Sequence, residues 1–279
     1  VEDGKVTVLA GRSRFTLSTL PAAEFPTVEA GDGEIDLDLA QPLVRQMIDR
    51  TGFAMAQQDV RYYLNGMYLE IKEGRLRFVA TDGHRLALCT APVQVATGDK
   101  SVIVPRKGIL ELSRLLDGDG SVTLSVGSNH IRAATDQFTF TSKLVDGKFP
   151  EYERVLPRSP DKSVLGDRSE LRQAFTRTAI LSNEKYRGVR LSLTAGSLEI
   201  TANNPEQEQA EESVPVDYAG DVLEVGFNVS YLLDVMGVLT GTTVRMSLSD
   251  SASSALIEEG EAGGDTDAEA LYVVMPMRL

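Results

Sequence analysis

The chain has 279 residues, 42% hydrophobic and 25% charged, and it contains no run near the roughly 18 apolar residues of a membrane span. These proportions predict a well-cored globular protein of two ordinary domains; with no signal-peptide pattern at Val1-Glu2-Asp3-Gly4, the expected compartment is the cytoplasm and no membrane partner is expected. The lone Cys89 and the two histidines, His84 and His130, argue against a disulfide framework, a thiolate metal cluster and a histidine-rich zinc site, so neither metal nor cofactor is expected.

A net charge of -13 argues against a wholly basic nucleic-acid binder, but the charge is unevenly spread. Acidic residues gather at 206–212 and 258–269. Arg45, Arg50, Arg106, Lys107, Arg114, Arg172, Arg177, Lys185, Arg187 and Arg190 lie in or beside predicted helices, so a locally basic surface is expected. Val1 in place of an initiator methionine points to a piece of a longer chain.

In chain order, residues 5–10 and 14–20 read as strands joined at Gly11-Arg12-Ser13 and closed by Glu24-Phe25-Pro26. The pattern recurs: 122–127 answers 6–11, and Phe138-Thr139-Phe140 leading to Lys148-Phe149-Pro150 answers Phe15-Thr16-Leu17 leading to Glu24-Phe25-Pro26. The chain therefore begins inside an earlier copy of its own repeat, residues 1–33, followed by two full copies over 34–157 and 158–279.

The two copies align by element. A first helix carries Leu43, Val44, Met47 and Ile48 in one copy and Leu171, Ala174, Phe175 and Thr178 in the other, the latter opened by Asp167 and Glu170 as a capping box. Alternating strands follow at 74–82 and 196–204. A second helix carries Ile109, Leu112, Leu115 and Leu116, or Val229, Leu232, Leu233 and Met236; paired strands at 122–126 and 244–248 come next. Strands outnumber helices, which predicts α+β architecture with mainly antiparallel sheets. Linkers are expected at 27–34 and 153–164, and a solvated hairpin loop at 258–270.

Within residues 79–88 the pair Asp82-Gly83 is a turn signal, which would place His84, Arg85 and Leu86 at a corner exposed to a partner. Asp82 with His84 is compatible with a hydrolase, but no serine elbow, metal triad or phosphate-cradling glycine loop accompanies them. Tyr62 and Tyr63 near Arg61 suit stacking on nucleic acid or simple packing. The tail 271–279 is either a last core strand or, through Met275 and Met277, a surface for apolar partners.

Gln58-Asp59-Val60-Arg61-Tyr62-Tyr63-Leu64-Asn65-Gly66, Thr81-Asp82-Gly83-His84-Arg85-Leu86, Val104-Pro105-Arg106-Lys107-Gly108, residues 140–150, Ile180-Leu181-Ser182-Asn183-Glu184-Lys185, residues 202–208, Gly226-Phe227-Asn228-Val229-Ser230-Tyr231 and residues 273–279 together resemble the bacterial DNA polymerase III beta subunits, the sliding clamps. The similarity covers essentially the whole chain and lacks most of that family's first domain. The resemblance implies repeated clamp domains with two helices on the inner face and antiparallel sheets outside. It implies a non-enzymatic processivity factor that encircles double-stranded DNA, without regard to base sequence, as a head-to-tail homodimer.

The same resemblance implies a peptide groove at Arg61, Leu64, Thr81, Gly83, His84, Arg85, Leu86, Pro150, Arg154, Val155, Asn228, Tyr231, Ser254, Val273, Met275, Pro276, Met277, Arg278 and Leu279. The implied occupants are the DNA polymerase III alpha subunit, the clamp loader and other replication and repair proteins. Gln58, Tyr62, Tyr63, Arg106 and Lys107 would face DNA. Charge and apolarity put a dimer interface at Arg12, Arg14 and Phe15 on one edge and Ile180, Leu181, Glu206, Glu208, Glu211 and Glu212 on the other. A peptide-binding adaptor with no DNA role is the other non-enzymatic reading.

Overall fold

Alternating side chains in the first residues form a hairpin. In this computed structural model, which describes residues 4–25, 35–94, 98–260 and 268–278, β1 (Lys5–Ala10) pairs antiparallel with β2 (Ser13–Ser18). Val8 lies opposite Phe15, and Gly11 at the turn has φ +59°. Every β2 side chain is exposed, Phe15 and Leu17 among them. Residues 4–25 belong to a unit distinct from the one that follows, and the linker expected at 27–34 lies outside the described residues.

The second unit is built twice from one pattern. Its first copy runs β3 (Ile35–Ala40), α1 (Gln41–Thr51), β4 (Gly66–Lys72), β5 (Arg75–Thr81), β6 (Arg85–Pro92), β7 (Lys100–Pro105), α2 (Arg106–Leu115), β8 (Ser121–Val126), β9 (His130–Ala134) and β10 (Thr139–Lys143). Its second copy repeats that order as β11 (Lys162–Asp167), α3 (Arg168–Thr178), β12 (Gly188–Thr194), β13 (Ser197–Asn203), β14 (Gln209–Asp217), β15 (Leu223–Asn228), α4 (Val229–Val238), β16 (Thr243–Leu248), β17 (Ala255–Glu259) and β18 (Glu269–Val274).

Helical spacing gives each helix one apolar face. α1 buries Val44, Met47 and Ile48; α3 buries Leu171, Ala174 and Phe175; and α4 buries Val229, Leu232, Val235 and Met236. Each large aliphatic or aromatic side chain so buried is worth about 1.5–3 kcal/mol. The Asp167 carboxylate caps α3 by accepting the Glu170 N–H at 2.8 Å, but among the described residues the Glu170 carboxylate returns no bond, so only half of the expected capping box forms. Asn228 caps α4 by accepting the Ser230 N–H. α1 and α2 have no side-chain cap and open at Pro42 and Pro105 instead.

Among the described residues, the strands of the second unit form two antiparallel sheets. One has the order β10-β9-β8-β3; the other joins both copies in the order β15-β12-β13-β14-β11-β16-β17-β18-β6-β5-β4-β7. The seam is β18 on β6, with Val273 opposite Leu86 and Val274 opposite Arg85. The copies thus share one sheet at the place where the turn after β5 meets the end of β18.

Pairing corrects the expected match of 122–127 with 6–11. β2 resembles β10, and the partner of β10 is β9, with Phe140 opposite Ala133; the hairpin β1-β2 therefore answers β9-β10, not β8. The expected linker at 153–164 is also only partly a linker, because the Val155 N–H donates to Tyr152 O at 3.0 Å and β11 already begins at Lys162. Past β10 the chain forms a strap: the Val145 N–H donates to Ile103 O at 2.8 Å, Phe149 stacks on Tyr68 at 4.7 Å, and the Tyr152 hydroxyl donates to Glu70 Oε2 at 2.8 Å. Arg77 pairs with the same carboxylate oxygen at 2.8 Å. Burial, reinforced by the Glu70 carboxylate, pushes the Tyr152 phenol well above its usual range. In the second copy the bond answering Val145 to Ile103 is the Met277 N–H to Gly226 O, 2.9 Å.

The acidic 258–270 segment is not solely solvated loop. Glu259 lies in β17 and accepts from the N–H groups of Thr240 and Gly241 at 2.8 and 2.9 Å, closing the chain just beyond α4; residues 261–267 lie outside the described residues.

Candidate functional site

The turn between β5 and β6 is tightly bonded. Gly83 has φ +89°, a conformation that favours glycine. Asp82 Oδ1 accepts the N–H groups of His84 and Arg85 at 2.9 and 3.1 Å, and Asp82 Oδ2 accepts Arg85 Nε at 3.1 Å. Thr81 Oγ1 accepts the Gly83 N–H at 3.1 Å and donates to Arg85 O at 2.6 Å. With its carboxylate occupied in this way, Asp82 is not poised as a general base, and His84 instead stacks against Tyr231 with ring centroids 6.4 Å apart.

The corner is less exposed than its turn chemistry implied. His84 is exposed, Arg85 retains 12% of its side-chain exposure, and Leu86 is buried because β6 enters the sheet immediately. Arg85 lies between the rings of Phe53 and Tyr231, with its guanidinium carbon 5.1 and 4.6 Å from their centroids. The Met275 N–H donates to His84 O at 2.9 Å, fastening the tail to the turn.

On the strap side of the turn is an apolar cavity of about 180 Å³. It is lined by Arg61, Leu64, Thr81, Gly83, Arg85, Leu86, Pro150, Val155, Val273 and Met275, all expected in the groove, and also by Tyr63 and Tyr152, which were not. Tyr152 was missed because nothing in its local sequence shows that the strap folds back over β4. Arg61 forms a rim: its Nε and Nη2 donate to Asp59 at 3.0 and 2.9 Å, and Nη2 also reaches Asp82 O at 3.2 Å. These hydrogen bonds hold the Asp59 carboxyl down at about 2.

The other groove candidates do not line this cavity. His84 and Tyr231 form the platform beside it, and Asn228 caps α4. Ser254 is half-buried just before β17, Pro276 and Met277 follow Met275 along β15, and Arg278 is exposed. Arg154, paired with Glu151 at 2.5 Å, lies on a neighbouring cavity of about 730 Å³ over β4 and β7; Leu279 lies outside the described residues.

The nucleic-acid candidates cluster beyond α1. Gln58 and Tyr62 are exposed, and Tyr62 meets Tyr63 edge-on at 5.8 Å. Lys107 is exposed at the start of α2, whereas Arg106 turns back to donate to Met55 O at 3.2 Å. Most of the expected basic surface is already paired or buried. Arg177 forks onto Glu212, Arg190 pairs with Glu224 from strand β12, Arg45 lies near Asp49 and Arg114 near Glu111. Arg50 is buried and donates to Ala268 O, and Arg187 donates to Ala179 O.

Among the interface candidates, Arg12, Arg14 and Phe15 are exposed on β2, Ile180 is 75% exposed and Leu181 is half-buried. Glu206, Glu208 and Glu211 are exposed along or just before β14, with Glu208 taking the Asn204 amide at 2.6 Å. Glu212 is held by Arg177. Residues 209–215 of β14 have β13 on one side and no strand on the other among the described residues, since β11 pairs only at Val216 and Asp217. No cluster of three or more His, Cys, Asp or Glu side chains that could hold a metal occurs among the described residues, and no helix there is long and apolar enough to cross a membrane.

Repeated α+β units sharing one sheet, with an apolar cavity at their seam, define a clamp-type scaffold. Residues 38–151 match the family model of the DNA polymerase III beta subunit central domain, and 153–278 that of its C-terminal domain. The Pseudomonas aeruginosa beta sliding clamp is 66% identical over 281 residues, covering 100% of this chain and 75% of that protein; the Escherichia coli K12 clamp is 54% identical over 280 residues with the same coverage. The crystal structure of the P. aeruginosa DNA polymerase III subunit beta superposes with a TM-score of 0.94 at 64% identity, and a P. aeruginosa clamp bound to griselimycin with 0.92 at 65%, each covering 100% of this chain and 75% of the other. The chain belongs to the DNA polymerase III beta subunit family, the beta sliding clamps, which are non-catalytic processivity factors. That membership removes the hydrolase reading of Asp82 and His84, in keeping with the occupied carboxylate of Asp82.

Proposed function

We propose that this protein confers processivity on the replicative polymerase by encircling duplex DNA as a head-to-tail dimeric ring and docking partners through the groove at the β6–β18 seam. In this reading residues 1–33 are the end of a first clamp domain, 34–157 the second and 158–279 the third, and the protein works in the cytoplasm. The observation that carries the docking part is the apolar cavity, whose floor is Leu86, Val273 and Met275 and whose rim is Arg61. Such a trough suits a linear peptide with one or two apolar anchors, supplied by the DNA polymerase III alpha subunit, the clamp loader or other replication and repair proteins.

Few free cations favour sliding. Each phosphate neutralised adds a salt-sensitive contact that would brake movement, so topology does the holding while Gln58, Tyr62, Tyr63, Arg106 and Lys107 supply light contacts. Clamp loaded onto closed circular DNA should persist in high salt and run off once the circle is cut. Loss from uncut circles at high salt would leave a peptide-binding adaptor as the reading. Separately, Met275→Ala, or deletion of 277–279, should weaken a polymerase tail peptide about tenfold in calorimetry, the scale of one lost apolar anchor; unchanged affinity would remove the groove assignment.

A further inference from the structure

Arg85 stands where the two copies meet, and its contacts divide between them. From the first copy it receives Asp82 Oδ2 and, through Nη2 at 2.9 Å, Phe53 O; from the second it receives the Asp234 carboxylate of α4 on Nη1 and the Tyr231 ring on one face. Asp234 lies outside the cavity and is 46% exposed. Without it Arg85 would keep its first-copy bonds, but no acceptor from the second copy would hold the outer edge of the guanidinium plane. Tyr231, and His84 stacked on it, would lose the surface that sets their orientation.

We propose that Asp234 is a positioning residue for the groove: it fixes the plane of Arg85, and thereby the Tyr231–His84 platform that receives the residues of a partner peptide beyond its apolar anchor. The inference rests on the peptide-groove reading and adds to it a residue that does not line the cavity. The side of the groove nearest α4 thus depends on a carboxylate of the second copy, while the apolar side depends on the strap.

The test is calorimetry on the 279-residue protein with two probes, the polymerase C-terminal peptide at full length and the same peptide cut back to its apolar anchor. Asp234→Ala should weaken the full-length peptide about tenfold, the scale of a lost charged hydrogen bond, and leave the cut-back peptide within about twofold. It should also shift the Tyr231 ring resonances in a tyrosine-labelled sample, and Asp234→Glu should restore both readouts. Equal losses for the two peptides, or no loss for either, would overturn the inference. Asp234→Asn, which keeps the shape and removes the charge, decides the matter by the same criteria if the alanine variant does not fold. Wild-type protein that binds neither peptide would overturn the groove reading first, and this inference with it.

Discussion

Gly83 and Arg61 define the open wall of the cavity between them. A Cβ on Gly83 would lie 3.0 Å from both Arg61 terminal nitrogens, and the φ of +89° penalises any L side chain. Gly83→Ala should therefore destabilise the fold by about 1–2 kcal/mol in urea unfolding and displace Arg61 from the rim. Asp59, which holds Arg61, has a folded-state pKa depressed to about 2 by that hydrogen bond. The sign follows: the contact is complete above the ordinary carboxylate value near 3.8 and is lost as pH falls through about 2. Carboxyl-carbon NMR should place the Asp59 midpoint near 2 in the wild type and return it toward the ordinary value in Arg61→Ala. Leu64, Leu86, Val273 and Met275 of the apolar lining were anticipated through the family resemblance and not from their local sequence; distant arginine partners such as Asp234 on Arg85 were not, since a guanidinium on a long stem reaches such an acceptor only after separate elements meet.

Helices and strands were the most legible level, because a 3.6-residue or two-residue period is a local property of the chain. Two misreadings came from signals that are not local. β1 was set against β8 because Val-rich alternation with a following glycine recurs there, and only pairing register shows that β9 is its counterpart. The stretch 153–164 was read as a linker on its Pro, Gly and charge content, although β11 begins at Lys162 and Val155 lines the cavity, continuing the strap whose Phe149 and Tyr152 pack onto β4. Its anchoring has a testable magnitude. Tyr152→Phe removes one donor from Glu70 while Arg77 remains, so unfolding free energy should fall by about 1 kcal/mol, and a double-mutant cycle with Glu70→Gln should recover that coupling. Asp167→Ala should cost α3 a similar amount, about 1 kcal/mol, through the lost cap.

For the whole molecule the total charge of -13 misled less than the count of helical arginines, most of which are ion-paired at the surface or turned onto backbone carbonyls. If exposed β2 meets the free edge of β14 in a second copy, self-association should weaken as salt rises. Glu211→Lys should weaken it more than Glu212→Lys, because Glu212 already serves Arg177; equal effects in sedimentation would argue against that edge.

The bed beneath the strap differs between the two copies. Tyr68 of β4, on which Phe149 stacks, corresponds in the repeated pattern to Arg190 of β12, which pairs with Glu224 at the surface. An ion pair is a poorer bed for an apolar strap than a tyrosine ring, so the two copies, alike in element order, present surfaces of opposite character at this position. If the groove reading proposed above holds, partners that use the β6–β18 cavity compete for it, and local concentration and residence time decide which of them occupies it.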